Sequence, residues 1–367
     1  MANHPIVFLS SYPSPLNERD GMIQRIKHID LLVSSHARTY LDISFRKHWR
    51  KGLSIEGSAK VYKLNAFLHY WYISSLIASS STLYVHSVYN AFHIAFRRYK
   101  GKIILDAHGV VPEELGQEGK LAMQLVFRLV EWIIMGRVEL LICVTHNMFT
   151  HFSSKYPRRA SCRQLLLPIL PPQERSKAPS VYHSRRDPRT VIYAGGFQAW
   201  QNINLMLCTA AERPGFRYIF LTPDKRLMEK MLLGSNIPLY ECDTVPQDSV
   251  KERYLQSTYG FVLRGDNLIN NVACPTKLVE YMFWGVIPIV IQPAIGDFME
   301  LGYQYLTLAE FVNGSLPDQE RLCAMRIRNR ELVDRLYIHA GQQRRLLCSE
   351  ILPASMSSRA CYEETGV

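Results

Sequence analysis

The stretch CPTKLVEYMFWGVIPIV, residues 274–290, decides how the chain is read. Pro275 suits the first turn of a helix, and Gly285 stops it because glycine takes the left-handed cap conformation without strain. The apolar run VIPIVIQ (286–292) then reads as a strand buried on both faces. Working outward, YGFVLR (259–264), IPLYEC (237–242), RYIFLT (217–222) and TVIYAGG (190–196) are short apolar runs separated by helical stretches. The same alternation fills the first half, with strands expected in PIVFLSSYP (5–13), TYLDISF (39–45), AKVYKL (59–64), TLYVHS (82–87), KIILDAH (102–108) and VELLICV (138–144). Strands alternating with helices predict an α/β protein with doubly wound parallel sheets.

Five prolines fall between 168 and 188, which suits neither a helix nor a central strand. The predicted organisation is a Rossmann-like domain over 1–175, a linker at 176–188, a second Rossmann-like domain over 189–330 and a helical tail over 331–367. Such sheets place a cleft facing the carboxyl ends of both strand sets.

The chain has 367 residues, 47% of them hydrophobic, which excludes global disorder. No apolar run reaches the ~20 residues of a membrane span. The opening MANHPIVFLSSYPS lacks a basic segment and a long apolar core, so a cytoplasmic protein is expected. Eight scattered cysteines without a CxxC argue against zinc and disulfide frameworks.

The net charge is +11, yet residues 1–188 hold 25 basic and 13 acidic side chains against 18 and 19 in the remainder. The excess positive charge therefore lies in the first half, where it suits nucleic acid, an anionic membrane surface or an acidic substrate. Basic and aromatic residues cluster there in SFRKHWRKG (44–52), AFLHYWYISSL (66–76) and FRRYK (96–100). Rings beside cations suit a membrane interface. No nucleic-acid motif accompanies them, so no nucleic-acid partner is expected.

Three segments carry candidate chemistry by their position. Lys277 and Glu280, three apart near a helix start, offer a cation for phosphate and a carboxylate for sugar hydroxyls, or else an exposed ion pair worth about 0.2–0.5 kcal/mol. Gly195 and Gly196 end a strand and permit close backbone approach to a phosphate, or simply make a tight turn. LDAHGVVPEE (105–114) ends a strand at Asp106 and His108 and continues into a carboxylate pair. His108 there would bond a sugar or relay a proton, and Glu113 or Glu114 would act as a base, unless they only favour a helix start. His86 is a further strand-end residue, either facing a ligand or buried.

The string EYMFWGVIP (280–288) resembles the nucleotide-sugar signature of GT-B-fold glycosyltransferases, in particular glycosyltransferase family 4 of the surface-polysaccharide type. The resemblance implies two Rossmann-like domains and transfer of a hexosyl unit from a nucleotide-diphosphate sugar to a lipid-linked glycan acceptor, with retention of configuration. It implies that Glu280 binds the ribose and that Thr276 and Lys277 lie near the diphosphate. RGDNLINNVACPTK (264–277) resembles the same subgroup, placing Arg264 on the diphosphate and Asn270 or Asn271 at the sugar, although Arg264 also has Asp266 within reach. The loop RDGMIQR (19–25) matches the family's acceptor-side loop through Gly21 and Arg25, with Asp20 expected as a helix cap. His108 and Asp106 with Glu113 are the catalytic candidates.

The chain departs from the family in three places. Gly196 and Gln201 stand where an Arg and a Lys are usual, and Val272 stands where the first Glu of a pair is usual. No cofactor is expected beyond the nucleotide-sugar substrate. The chain has no Asp-x-Asp, against a metal-dependent GT-A transferase. Peripheral attachment to the inner face of an anionic membrane completes the expectation. A nucleotide-sugar epimerase of this fold, or a non-catalytic nucleotide-sugar-binding protein, are the alternatives.

Overall fold

The structure, a computed structural model, describes residues 6–14, 21–157, 162–171 and 186–352. The expected linker lies largely outside these residues, as do Asp20 and the end of the expected tail. The chain forms two compact units. Unit 1 runs to Pro168 and takes up the chain again from His339; unit 2 is Ile169–Ile338.

Unit 1 contains β1 (Ile6–Leu9), α1 (Gly21–Leu31), β2 (Arg38–Ser44), β3 (Gly52–Glu56), β4 (Ala59–Asn65), α2 (Tyr70–Ala78), β5 (Thr82–His86) and α3 (Ser87–Ala95). It continues with β6 (Lys102–Ala107), α4 (Val111–Gln117), α5 (Leu121–Met135), β7 (Leu140–Cys143), α6 (His146–Lys155) and β8 (Arg163–Leu166). The strand order is β3-β4-β2-β1-β5-β6-β7-β8, parallel except for the β3–β4 hairpin. All four residues of β1 are buried, as expected for a central strand covered on both faces, and Phe8 stacks on Tyr40 at 4.8 Å.

Unit 2 contains β9 (Thr190–Ala194), α7 (Ile203–Glu212), β10 (Arg217–Leu221), α8 (Lys225–Leu232), β11 (Tyr240–Asp243), α9 (Gln247–Gln256) and β12 (Tyr259–Val262). Then follow α10 (Leu268–Asn271), α11 (Thr276–Trp284), β13 (Ile287–Val290), β14 (Leu306–Thr307), α12 (Leu308–Asn313) and α13 (Gln319–Ile351). Its sheet is parallel throughout, in the order β11-β10-β9-β12-β13-β14. Tyr218, Phe220, Phe261 and Phe311 fill its core. Gly285 ends α11 at φ +72°, where the Val286 amide returns to the Tyr281 carbonyl at 2.8 Å.

The chain is helical from Gln319, and the expected tail from 331 is the later part of that one helix, which runs to Ile351. Its end belongs with unit 1 because it is anchored there. Lys102 Nζ donates to the Glu350 carbonyl at 2.8 Å, Arg163 pairs with the Glu350 carboxylate, and Leu347 and Ile351 are buried.

Candidate functional site

In unit 2 the chain leaves β9 toward one edge of the sheet and β12 toward the other. A parallel sheet binds ligands at the carboxyl ends of such a pair. Gly195 and Gly196 follow β9 there, and Leu263 and Arg264 follow β12. The two strands pair only through Tyr259 with Val191 and Gly260 with Ile192. Beyond that point the Tyr281 hydroxyl donates to the Ile192 carbonyl and accepts from the Ala194 amide, both at 3.2 Å. Its ring lies on Gly260, where a Cβ would stand 2.4 Å from a ring carbon. A side chain therefore replaces the ladder and holds the strands apart.

Two cations face this gap. Lys277 is buried; its Nζ donates to Gln201 Oε1 at 2.9 Å and lies 4.0 Å from the centre of the Tyr193 ring. A Cβ on Gly195 would come within 3.1 Å of that Nζ. The Tyr193 hydroxyl donates to the Gly196 carbonyl, so one tyrosine fixes both the glycine turn and the lysine. Arg264 Nη1 donates to Asn270 Oδ1 at 3.2 Å, and its buried Nε has no hydrogen-bond partner. Neither cation has an ion-pair partner among the described residues. Burial, reinforced by the charge of Arg264, pushes the Lys277 ammonium well below the usual lysine range. Burial lowers Arg264 to about 10. Glu280 offsets only part of this, so two desolvated cations with no ion-pair partner make a site that favours an anion.

Glu280 and Lys277 do not form the ion pair that their spacing allowed. Glu280 instead accepts the Tyr254 hydroxyl at 2.8 Å, and burial raises its carboxyl above the usual range. Arg264 likewise turns to Asn270 and leaves Asp266 to Asn271 Nδ2 at 2.9 Å. Thr276 opens α11, and Pro275 before it has no side-chain oxygen to cap the first amides, so they stay available to a ligand. Val272 is buried, so no polar group replaces the family's first Glu at that position. The gap thus gathers Gly195, Gly196, Arg264 and Lys277, with Glu280 on the same helix as Lys277. Gln201, Tyr193 and Tyr254, which hold these groups, were not expected in that role. In sequence Gln201 is only a departure from the family pattern, and Tyr193 lies next to the glycine pair.

In unit 1 the strand order reverses between β1 and β5, and the candidates stand at the ends of β5 and β6. Arg25 and Asp106, expected as acceptor contact and catalyst, instead lock onto each other. Arg25 Nε and Nη2 donate to the two Asp106 oxygens at 3.0 Å each, and Arg25 Nη1 donates to the Leu167 carbonyl at 2.9 Å. Tyr84 adds a hydroxyl to Asp106 at 2.5 Å. Burial alone would raise the Asp106 carboxyl, but Arg25, with the neighbouring His86 and His108, holds it well below the usual range. This buried group is a structural clamp, with no surface left to meet a substrate. Gly21 begins α1, which carries Arg25.

His86 and His108 stack with ring centres 4.3 Å apart. Both nitrogens of His86 and Nε2 of His108 are buried without hydrogen-bond partners, and His86 Nδ1 lies 3.7 Å from an Asp106 oxygen. Burial and the neighbouring His86 lower His108 to about 3, so it acts as a neutral donor or acceptor. His86, Asp106 and His108 lie close enough to surround a cation. The Asp106 charge is already matched by Arg25, so that set is chemically unsuited to a divalent ion. Glu113 is also engaged, through Lys155 Nζ at 2.8 Å, and is not a free base. Glu114 accepts from the Val110 amide at 3.1 Å, the helix-start role open to it from sequence.

Buried histidines also set a pH dependence. Burial and Arg97 lower His93 to about 4. Between pH ~6.5 and about 4 the unfolded chain takes up a proton that the folded chain refuses, so stability falls as pH falls. His93→Phe is expected to reduce this slope by about 1.4 kcal/mol per pH unit in urea titrations. An unchanged slope would show that His93 is hydrated in solution.

Two Rossmann-like parallel-sheet units, with polar groups gathered at carboxyl edges, define the fold of GT-B glycosyltransferases. Solved structures of that class share it at low identity. Sucrose-phosphate synthase from Thermosynechococcus elongatus has a TM-score of 0.66 at 12% identity, covering 94% of this chain and 98% of that one. HepE from Anabaena in complex with UDP-glucose has a TM-score of 0.62 at 13% identity, covering 94% and 99%. An α,α-trehalose-phosphate synthase (UDP-forming) from Burkholderia xenovorans, with glucose-6-phosphate, has a TM-score of 0.61 at 12% identity, covering 94% and 99%. No family model and no curated protein matches the sequence. Among the described residues, no helix is long and apolar enough to cross a membrane.

Proposed function

We propose that the chain is a glycosyltransferase resembling family 4, which moves a hexosyl unit from a nucleotide-diphosphate sugar to a lipid-linked glycan in surface-polysaccharide assembly. The observation that carries this reading is the pair of cations, half-buried Arg264 and buried Lys277, that have no ion-pair partner among the described residues at the strand-order reversal of unit 2, where Glu280 is the neighbouring acid. A donor diphosphate supplies the missing negative charge. As the glycosidic bond breaks, charge grows on the departing diphosphate, where Arg264, Lys277 and the first amides of α11 stabilise it without a metal. Glu280, oriented by Tyr254, accepts the ribose hydroxyls. Unit 1 takes the acceptor, with His86 and His108 offering ring nitrogens to its hydroxyls, and the anomeric configuration is retained. The chain works on the cytoplasmic side, peripherally at the membrane.

HepE was solved with UDP-glucose, which makes UDP-hexoses the first donors to try. Mass spectrometry of the purified protein with a panel of nucleotide sugars and lipid-diphosphate glycans is expected to detect a new glycoside and free nucleoside diphosphate. An epimerised nucleotide sugar with no glycoside would overturn the reading. Glu280→Gln is expected to weaken donor binding roughly 10–100-fold in calorimetry, since a charged hydrogen bond contributes about 1.5–3 kcal/mol. Unchanged affinity removes Glu280 from the site.

A further inference from the structure

The connections β4→β5, β5→β6 and β6→β7 all step the same way across the unit 1 sheet. Right-handed crossovers therefore lay α2, α3 and α5 side by side on one face. Ring contacts cross this layer. Phe67 meets Phe45 at 5.4 Å, Phe45 meets Phe92 at 5.3 Å, and Phe92 meets both Phe96 at 5.9 Å and Phe127 of α5 at 6.2 Å. The loop after β2 is tied to the entry of α2 by Asn65 Nδ2, which donates to the Lys47 carbonyl at 3.0 Å, and by Lys51 over the Tyr72 ring. The three basic-aromatic clusters of the sequence thus join α5 in a single layer.

That layer is apolar where it meets solvent. Trp71 is 83% exposed and Phe67 72%. Helix α5 buries Phe127, Val130 and Ile134, yet it also exposes Leu121, Leu125, Leu129 and Trp132, which share its opposite face at i, i+4, i+8 and i+11. Apolar groups continuous over several elements mark a surface with a partner. Arg46, Lys47, Arg50, Arg98, Lys100 and Arg128 border these groups in sequence and have no ion-pair partner among the described residues. A second copy of the chain would bring the same positive charges against them, whereas an anionic surface neutralises them.

We propose that the α2–α3–α5 face of unit 1 docks on an anionic phospholipid bilayer, with Trp71, Phe67 and the outer leucines of α5 entering the headgroup boundary. This deepens the function proposed above, on which it rests for the lipid-linked acceptor. Apolar insertion supplies the affinity, and the bordering cations supply the preference for negative lipid.

Co-sedimentation of the full chain tests it, using phosphatidylcholine vesicles with and without phosphatidylglycerol. The wild type is expected to bind the anionic vesicles. Leu125→Glu with Leu129→Glu should lose about tenfold or more in partitioning. Arg98→Glu with Lys100→Glu should lose the anionic preference. Both variants change exposed positions, so their thermal unfolding and UDP-glucose binding should match the wild type. Absence of wild-type binding, or equal binding by the leucine variant, overturns the proposal. So does a dimer in analytical ultracentrifugation that the leucine substitutions dissolve. Anionic-vesicle binding by a chain that binds no nucleotide sugar would uphold this surface and refute the transferase reading instead.

Discussion

Replacing Arg264 and Lys277 together with methionine is expected to abolish measurable binding of a nucleotide-diphosphate sugar and to leave the protein at least as stable as before. Each cation can give the diphosphate charge-assisted bonds of about 1.5–3 kcal/mol, so one substitution costs roughly 10–100-fold and the pair considerably more. The stability half of the expectation separates ligand binding from structural support. Lys277 is buried beside a like charge, held by one amide oxygen and one ring face, with the Glu280 carboxylate offsetting part of the cost. An apolar side chain of similar length relieves that desolvation and repulsion, as commonly happens where a site is strained for function. Calorimetry with UDP-glucose and a thermal melt read the two halves. Intact donor affinity, or a large loss of stability, would sink the assignment.

Asp106→Asn is expected to behave in the opposite way, destabilising unit 1 by about 3–5 kcal/mol, the usual cost of leaving one partner of a buried pair uncompensated. Arg25 then keeps its charge with no counter-ion, and Tyr84 loses its strong acceptor. Arg25→Leu combined with Asp106→Leu is expected to recover much of the loss, because an apolar pair removes both desolvation penalties. Asp106 is held well below the usual carboxylate range, so the clamp persists as the pH falls and fails only under strongly acid conditions. Urea unfolding of the single and double variants measures this. A silent Asp106→Asn would return Asp106 to the catalytic candidates.

The parallel strands were legible because strands buried on both faces leave unbroken apolar runs, as IVFL in β1 and IPIV in β13 do. β3 escaped because it is an edge strand with Leu53 and Ile55 exposed, and β14 because it has only two residues. The glycine pair and Arg264 were legible as strand-end residues and Lys277 as a helix-start residue, positions that need no knowledge of contacts. Their partners could not be placed. Gln201 lies 76 residues from Lys277, Tyr254 lies 26 from Glu280, and Asp106 lies 81 from Arg25. No periodicity encodes such pairs, and nearness in sequence offered Asp266 as an alternative partner for Arg264, which turns to Asn270 instead. The long α13 shows the same limit, since a helical pattern does not say which unit each of its turns joins.

The Tyr281 ring over Gly260 has a consequence for how such a site diversifies. The hydroxyl between β9 and β12 acts as a spacer whose size sets the width of the crevice, and it contributes no charge to what binds there. Aperture and recognition are thus written in different residues. Substitution at Gly260 or Tyr281 can widen or narrow the opening while the cations stay fixed, and substitution of the cations can change what binds without altering the opening.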